Sequence, residues 1–211
     1  MHSKKETAAA YEAEAALREA LFGNVGSAQQ RVTSALGLST GREVQYLAAL
    51  ALAFIGDAAR ANALERDLDK RFPGNTIVRF NYLPTLQARL ALGGNDAAKA
   101  AEILQSAIPY EIGNVGSGNL YPIYVRGEAY LGSHMGKEAA AEFAKILDHR
   151  GIVVNLPIGA LAHFQLGRAY AMAGDTAKAK AAYGEFLTLW KDADPDIPIL
   201  KQAKAEYAKL Q

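Results

Sequence analysis

The feature that most constrains this chain is a repeat of about forty residues. Ala88-Arg-Leu-Ala-Leu-Gly-Gly-Asn-Asp-Ala-Ala-Lys-Ala-Ala-Glu-Ile-Leu104 aligns without a gap on Gly167-Arg-Ala-Tyr-Ala-Met-Ala-Gly-Asp-Thr-Ala-Lys-Ala-Lys-Ala-Ala-Tyr183. The two share Arg89 with Arg168, Asp96 with Asp175, and Lys99-Ala100 with Lys178-Ala179. Between them, Gly127-Glu-Ala-Tyr130 followed by Gly136-Lys-Glu-Ala139 and Phe143 keeps the same register, and an earlier copy runs from Ala49 to Ala61. Anchors at 49, 88, 127 and 167 lie 39, 39 and 40 residues apart. A fixed period of this size means one supersecondary unit used several times, with each copy burying its apolar face against its neighbours.

The unit is helical. Alanine makes up about a fifth of the chain, and strand-forming runs of Val, Ile and Thr are almost absent, which favours helix over long windows. In the last copy, Ile158 to Met172 reads as a first helix, Gly174-Asp175 as a turn, and Thr176 to Trp190 as a second helix. Asp57, Asp96 and Asp175 each sit where a short side chain accepts from the free amides of the second helix. Met135 and His134 replace Asp and Gly in the third copy, so that turn is expected to be built differently. Asn81, Asn119 and Asn155, each shortly before Pro84, Pro122 and Pro157, read as starts of first helices, where proline's missing donor costs nothing. Upstream, 5–38 reads as a degenerate pair. Downstream, Asp192-Ala-Asp-Pro-Asp-Ile-Pro198 stops and restarts the chain before one amphipathic helix with Lys201, Lys204 and Lys209 outward. The expected organisation is a single all-α domain over 1–211. Its pairs fall near 5–38, 41–72, 81–108, 119–149 and 157–190, and a cap helix over 197–210 brings the total to eleven helices.

These residues resemble the tetratricopeptide repeat. Leu166-Gly167, Tyr170, Gly174, Ala179 and Tyr183 match its pattern of small and aromatic positions, as do Gly127, Tyr130, Ala139 and Phe143. Small residues let two helices cross closely while a ring fills the space beside them. The first three copies keep the small residues and lose the rings, and the period exceeds the usual 34, with the excess in links such as 108–119 and 149–156. The resemblance implies a right-handed α-solenoid. The stretches Tyr124-Val-Arg-Gly-Glu-Ala-Tyr-Leu, Ile146-Leu-Asp-His-Arg-Gly-Ile and Phe186-Leu-Thr-Leu-Trp-Lys-Asp-Ala-Asp-Pro are similar to the C-terminal repeat region of bacterial serine/threonine kinases of eukaryotic type, and sometimes of winged-helix regulators. That likeness implies a repeat domain separated from its catalytic or DNA-binding half. Met1 running straight into a helical sequence fits a segment of a longer protein.

Charge and composition narrow the function. Lys and Arg number 23 against 22 Asp and Glu, which withholds the electrostatic footprint of nucleic-acid or anionic-membrane binding. With no cysteine, thiolate metal sites and cysteine nucleophiles are excluded, while the compartment, cytoplasmic or periplasmic, stays open. The longest apolar run, Tyr46 to Gly56, is too short for a bilayer. His2, His134, His149 and His163 are scattered and lack ligand spacing. Gly23-Asn-Val-Gly-Ser27 and Gly113-Asn-Val-Gly-Ser117 lack the lysine of a phosphate loop and read as helix connections. No kinase signature is present. No catalytic role, metal or cofactor is expected.

Binding is the stronger expectation. The family register places first helices on the inner face of the superhelix, with Glu43, Tyr46, Leu50, Tyr82, Arg89, Leu92, Tyr121, Tyr124, Glu128, Phe164 and Arg168 lining it. Tyrosines with two equivalent arginines suit an extended peptide of apolar and partly acidic character. The alternative is that the rings fill contacts between neighbouring pairs. Three functions follow: a module binding a protein or peptide partner; a spacer or self-association domain, including a homodimer; and, third, an effector-sensing or catalytic domain, which no polar constellation supports.

Overall fold

The computed structural model describes residues 2–112 and 120–211, with side chains from Lys4 onward. Among the described residues the protein is all-helical: α1 (His2–Phe22), α2 (Val25–Leu38), α3 (Arg42–Phe54), α4 (Ala58–Arg71), α5 (Leu83–Gly93), α6 (Ala97–Ile103), α7 (Tyr121–Gly132), α8 (Gly136–Asp148), α9 (Arg150–Val153), α10 (Pro157–Met172), α11 (Thr176–Leu189) and α12 (Pro198–Ala208). Consecutive helices pack in pairs, α1 with α2, α3 with α4, α5 with α6, α7 with α8 and α10 with α11. The odd-numbered helices α1, α3, α5 and α7 pack on one another in sequence, and α10 packs on both α7 and α8.

One turn is used five times. Gly23, Gly56, Asn95, His134 and Gly174 all carry positive φ, between 58° and 87°. Each is followed by a residue with ψ near 70°, from 68° at Asp57 to 77° at Asp175. Asp57, Asp96 and Asp175 accept from the amides of Arg60, Lys99 and Lys178 at 3.1–3.2 Å, closing the next helix's N-terminus. The expectation of a different turn at His134 and Met135 is therefore corrected. Met135 Nα–H donates to Tyr130 C=O at 2.8 Å, just as Asp96 Nα–H donates to Ala91 C=O at 2.9 Å. His134 tolerates the left-handed conformation, and only the capping bond is lost.

Two starts differ from the proline reading. Helical backbone in the third pair begins at 76, so Asn81 is a buried interior residue and caps nothing. Pro84 then sits inside a helix, where its absent N–H would break the ladder. A π-helical turn, Val78–Tyr82, absorbs the defect: Leu83 donates to Val78 C=O, and Thr85 Oγ1 donates to the Asn81 carbonyl at 2.6 Å. At α10 the cap position is Leu156, not Asn155. Asn119 lies outside the described residues. The link at 149–156 is not all loop, since α9 takes up half of it. The second helix of the third pair is short, tightening after Ile103 into a 3-10 segment, Leu104–Tyr110, that contains Pro109.

The small positions do what close crossing requires. A Cβ on Gly127 would lie 2.6 Å from the Phe143 ring, and one on Gly167 would lie 2.8 Å from Tyr183. Ala49 and Ala88, at the equivalent places, are fully buried.

The two ends of the chain meet. Besides packing on α11, α12 touches α1. The Phe22 ring stands edge-on to Trp190 with centroids 4.7 Å apart, and Pro198 Cβ fills the space where a side chain on Gly23 would begin.

Candidate interaction surfaces

The inner-face residues divide by chemistry. Tyr46, Tyr82, Tyr121, Tyr124 and Phe164 are all buried, none more than 4% exposed, and so is Leu50. Tyr46 and Tyr82 stack face to face, 3.8 Å between centroids; Tyr124 meets Phe143 edge-on at 5.7 Å; Phe164 packs between Tyr183 and Phe186. Burial drives the tyrosine hydroxyls upward, Tyr82 to about 12 and Tyr46, Tyr121 and Tyr124 further. An aromatic surface open to a partner is thus corrected to an aromatic interior. The rings cover one another, Tyr46 on Tyr82, Tyr124 on Phe143 and Phe164 on Tyr183 and Phe186, and Tyr121 is covered by α1, whose Glu14, Leu17 and Arg18 converge with Leu47, Tyr121 and Asn155–Pro157 around a void of only about 70 Å³. The chain's own first helix covers that part of the face. Glu43 is exposed and receives Arg42 Nη2 at 3.3 Å. Leu92 is half-buried.

The charged members form a ladder. Leu50, Arg89, Glu128 and Arg168 occupy equivalent repeat positions. Arg89 lies over the Phe54 ring at 4.8 Å, and Arg168 over Phe164 at 4.1 Å. Burial raises the Glu128 carboxyl above its ordinary value, while Arg89 and Arg168 pull it down. Gln165 Nε2 donates to Tyr124 Oη at 3.1 Å and to Glu128 Oε1 at 3.3 Å. Arg168 then closes onto α12, donating from Nε and Nη2 to Glu206 at 2.9 and 2.6 Å, and Tyr183 Oη donates to the same carboxylate at 2.8 Å. Burial opposes charge on Glu206, yet these donors win and hold it below the usual carboxylate value. Plus and minus alternate from Arg89 to Glu206; Arg168 and Glu206 pair directly, whereas Arg89 Nε and Glu128 Oε2 are buried without a hydrogen-bond partner among the described residues.

A second charged cluster is one that sequence reasoning did not single out. Arg126, 1% exposed, donates to both oxygens of Glu111 at 2.8 and 3.0 Å and to Glu142 at 2.6 Å. Lys145 adds a bond to Glu111 at 2.9 Å, and Arg126 also reaches the Leu104 carbonyl at 3.3 Å. These bonds tie the segment after α6 to α7 and α8. The sequence signal is an arginine at a repeat position where α3 and α10 carry Ala48 and Leu166, although α5 carries Gln87.

An open concavity lies elsewhere among the described residues, a cleft of about 990 Å³ between α9, the start of α10 and the end of α11. Its lining mixes small residues, Ala160, Ala181 and Gly184, with polar ones, Arg150, Asn155, His163, Glu185 and Thr188. A Cβ on Gly184 would meet nothing within 4 Å. On its lips stand Val154, 76% exposed, and Leu189, 61% exposed. Val154 has φ 47° and ψ −107°, a backbone state that a β-branched side chain adopts only under strain. His163 Nδ1 sits 2.8 Å from Glu185 Oε2. Burial lowers the His163 pKa, Glu185 opposes this, and Arg150 adds to it. Phe22 and Trp190 close one end.

Other chemistries find no support in the described residues. No group of three His, Asp or Glu is placed to hold a metal ion, and no helix is long and apolar enough to cross a membrane. Gly23-Asn24 is the first of the five turns and Val25-Gly-Ser27 begins α2, while Gly113–Ser117 lies outside the described residues. Compared with protein-family models, curated proteins and solved structures, the chain matches none.

Proposed function

We propose that this chain is a protein-docking module of tetratricopeptide-like, right-handed α-solenoid type whose working surface is the α9–α10–α11 cleft. The supporting observation is that two exposed large apolar side chains, Val154 and Leu189, line one open cleft that also carries Ala160, Ala181 and Gly184. Large apolar side chains displayed on an open cleft lose free energy to water until another surface covers them. The strain at Val154 gives a second support, since backbone strain concentrates where function requires a displayed side chain. The resemblance to the repeat region of bacterial serine/threonine kinases, or of winged-helix regulators, makes this module the non-catalytic, partner-selecting part of a longer signalling protein.

A structural spacer is the second reading, favoured by the burial of Tyr46, Tyr82, Tyr121, Tyr124 and Phe164 within the chain. Photo-cross-linking separates the two. A benzoylphenylalanine in place of the exposed Thr188, on the cleft lining, is expected to form a polypeptide adduct in the source cells, and one in place of the exposed Tyr11 is not. Adding Leu189→Asp should abolish the adduct. If no polypeptide adduct forms at position 188, the docking reading falls and the spacer stands.

A further inference from the structure

We infer that the occupant of this cleft is the same cleft of a second copy, in a two-fold symmetric dimer. The inference rests on the docking reading above and names its partner.

The Arg150 side chain, on the α9 side of the cleft, is exposed and makes no hydrogen bond or ion pair with a described residue. Glu185, on the α11 lip, is 64% exposed and has one oxygen uncommitted beyond its contact with His163. The His163 ring is buried and reaches only Glu185 Oε2, so the second carboxylate oxygen is left facing outward. An acidic ligand would satisfy Arg150 and meet Glu185; a basic one would do the reverse. A two-fold axis resolves both, because residue i of one copy faces residue j of the other while j faces i. Arg150 and Glu185 then pair twice, reciprocally.

Shape follows the same logic. The cleft carries its own knobs, Val154 and Leu189, and its own open space over Gly184 on one surface. A surface with both is complementary to itself when rotated by half a turn. Two copies therefore bury four large apolar side chains that each leaves in water alone, and the near-zero net charge, +1, sets little repulsion against association.

Sedimentation equilibrium of the chain over a concentration series, alone and with variants, provides the test. The native chain is expected to dimerise. Arg150→Glu and Glu185→Arg should each weaken the dimer by about tenfold or more, since each places like charges opposite one another twice. Mixed in equal amounts, the two variants should recover near-native association as a heterodimer, because the introduced acid of one then faces the introduced base of the other. Gly184→Met fills that open space and should abolish the dimer while leaving helicity unchanged.

A native chain that stays monomeric overturns the proposal, as does a dimer indifferent to both charge reversals or one not rescued by mixing. The cross-linking mass then separates the levels. An adduct of twice the chain mass agrees with the dimer; an adduct with a different polypeptide, beside a monomeric chain, ends the two-fold proposal and leaves the docking reading in place; no adduct ends both.

Discussion

Single residues decide how well each copy of the repeat is built. The turn at His134 and Met135 keeps the common backbone while lacking both of its favoured residues: His134 bears the left-handed conformation that glycine takes in three of the other turns, and Met135 leaves the following helix without a side-chain cap. His134→Gly should relieve the steric cost of positive φ, and Met135→Asp should supply the missing acceptor. Each is expected to raise stability by about 1 kcal/mol, read as a higher urea midpoint at unchanged slope. Close crossing points the other way. At Gly127 the Phe143 ring occupies the place of a Cβ, so Gly127→Ala should cost roughly 1–3 kcal/mol through overpacking. Combining it with Phe143→Leu should cost less than the sum of the two single changes. Additive losses in that cycle would mean that the ring and the glycine do not share the space.

Elements owe their placement to charges that no local pattern announces. The Arg126–Glu111–Glu142–Lys145 cluster ties the segment after α6 to α7 and α8, and it is buried enough that half a pair is worse than none. Arg126→Met alone should cost about 3–5 kcal/mol, stripping buried Glu111 of its two arginine bonds and leaving it Lys145 alone. Adding Glu111→Leu should return much of that loss in chemical denaturation. At the other end, Arg168 and Tyr183 hold the Glu206 carboxyl below its ordinary value of 4.5. A carboxylate with a depressed folded-state pKa contributes in full above its unfolded value, and that contribution disappears as pH falls through the folded one. The docking of α12 should therefore be intact at neutral pH and weaken only below about pH 4.5. Glu206→Gln should remove that acid dependence, followed by amide exchange in Pro198–Ala208.

What could be read from the sequence separates by the same scale. The turn aspartates and the Gly127 and Gly167 crossings are local or nearly so, set by spacing within one copy, and they were legible. The all-helical class followed from propensity and period. The inner residues were legible as a set, since 50, 89, 128 and 168 are one repeat position, but their exposure was not. Whether Tyr121 faces water depends on where α1 lies, and α1 belongs to the pair with the weakest repeat pattern. The cleft escaped for a related reason. It is formed by a link, 149–156, that lies outside the period, and by a strained Val154 that no propensity anticipates.

At the scale of the whole molecule, contact between the ends changes what kind of array this is. In an open repeat array each unit feels only its neighbours, and a change in the first is silent in the last. Here Phe22 and Trp190, 168 residues apart in sequence, share an edge-to-face contact, and α12 touches α1. Trp190 is the chain's only tryptophan, held between Phe22 and Phe186, so its fluorescence reports the closure directly. Phe22→Ala removes one wall of that site. The expected result is a red shift of Trp190 emission together with faster amide exchange in α12, while exchange in α5 and α7 stays as it was. An unshifted emission and unchanged exchange would mean that the ends are independent in solution, and stability would then be a sum over neighbouring pairs. The expected result makes it instead a property of a closed chain, in which loosening either end loosens the other, and the α9–α10–α11 cleft, walled at one end by Phe22 and Trp190, feels both.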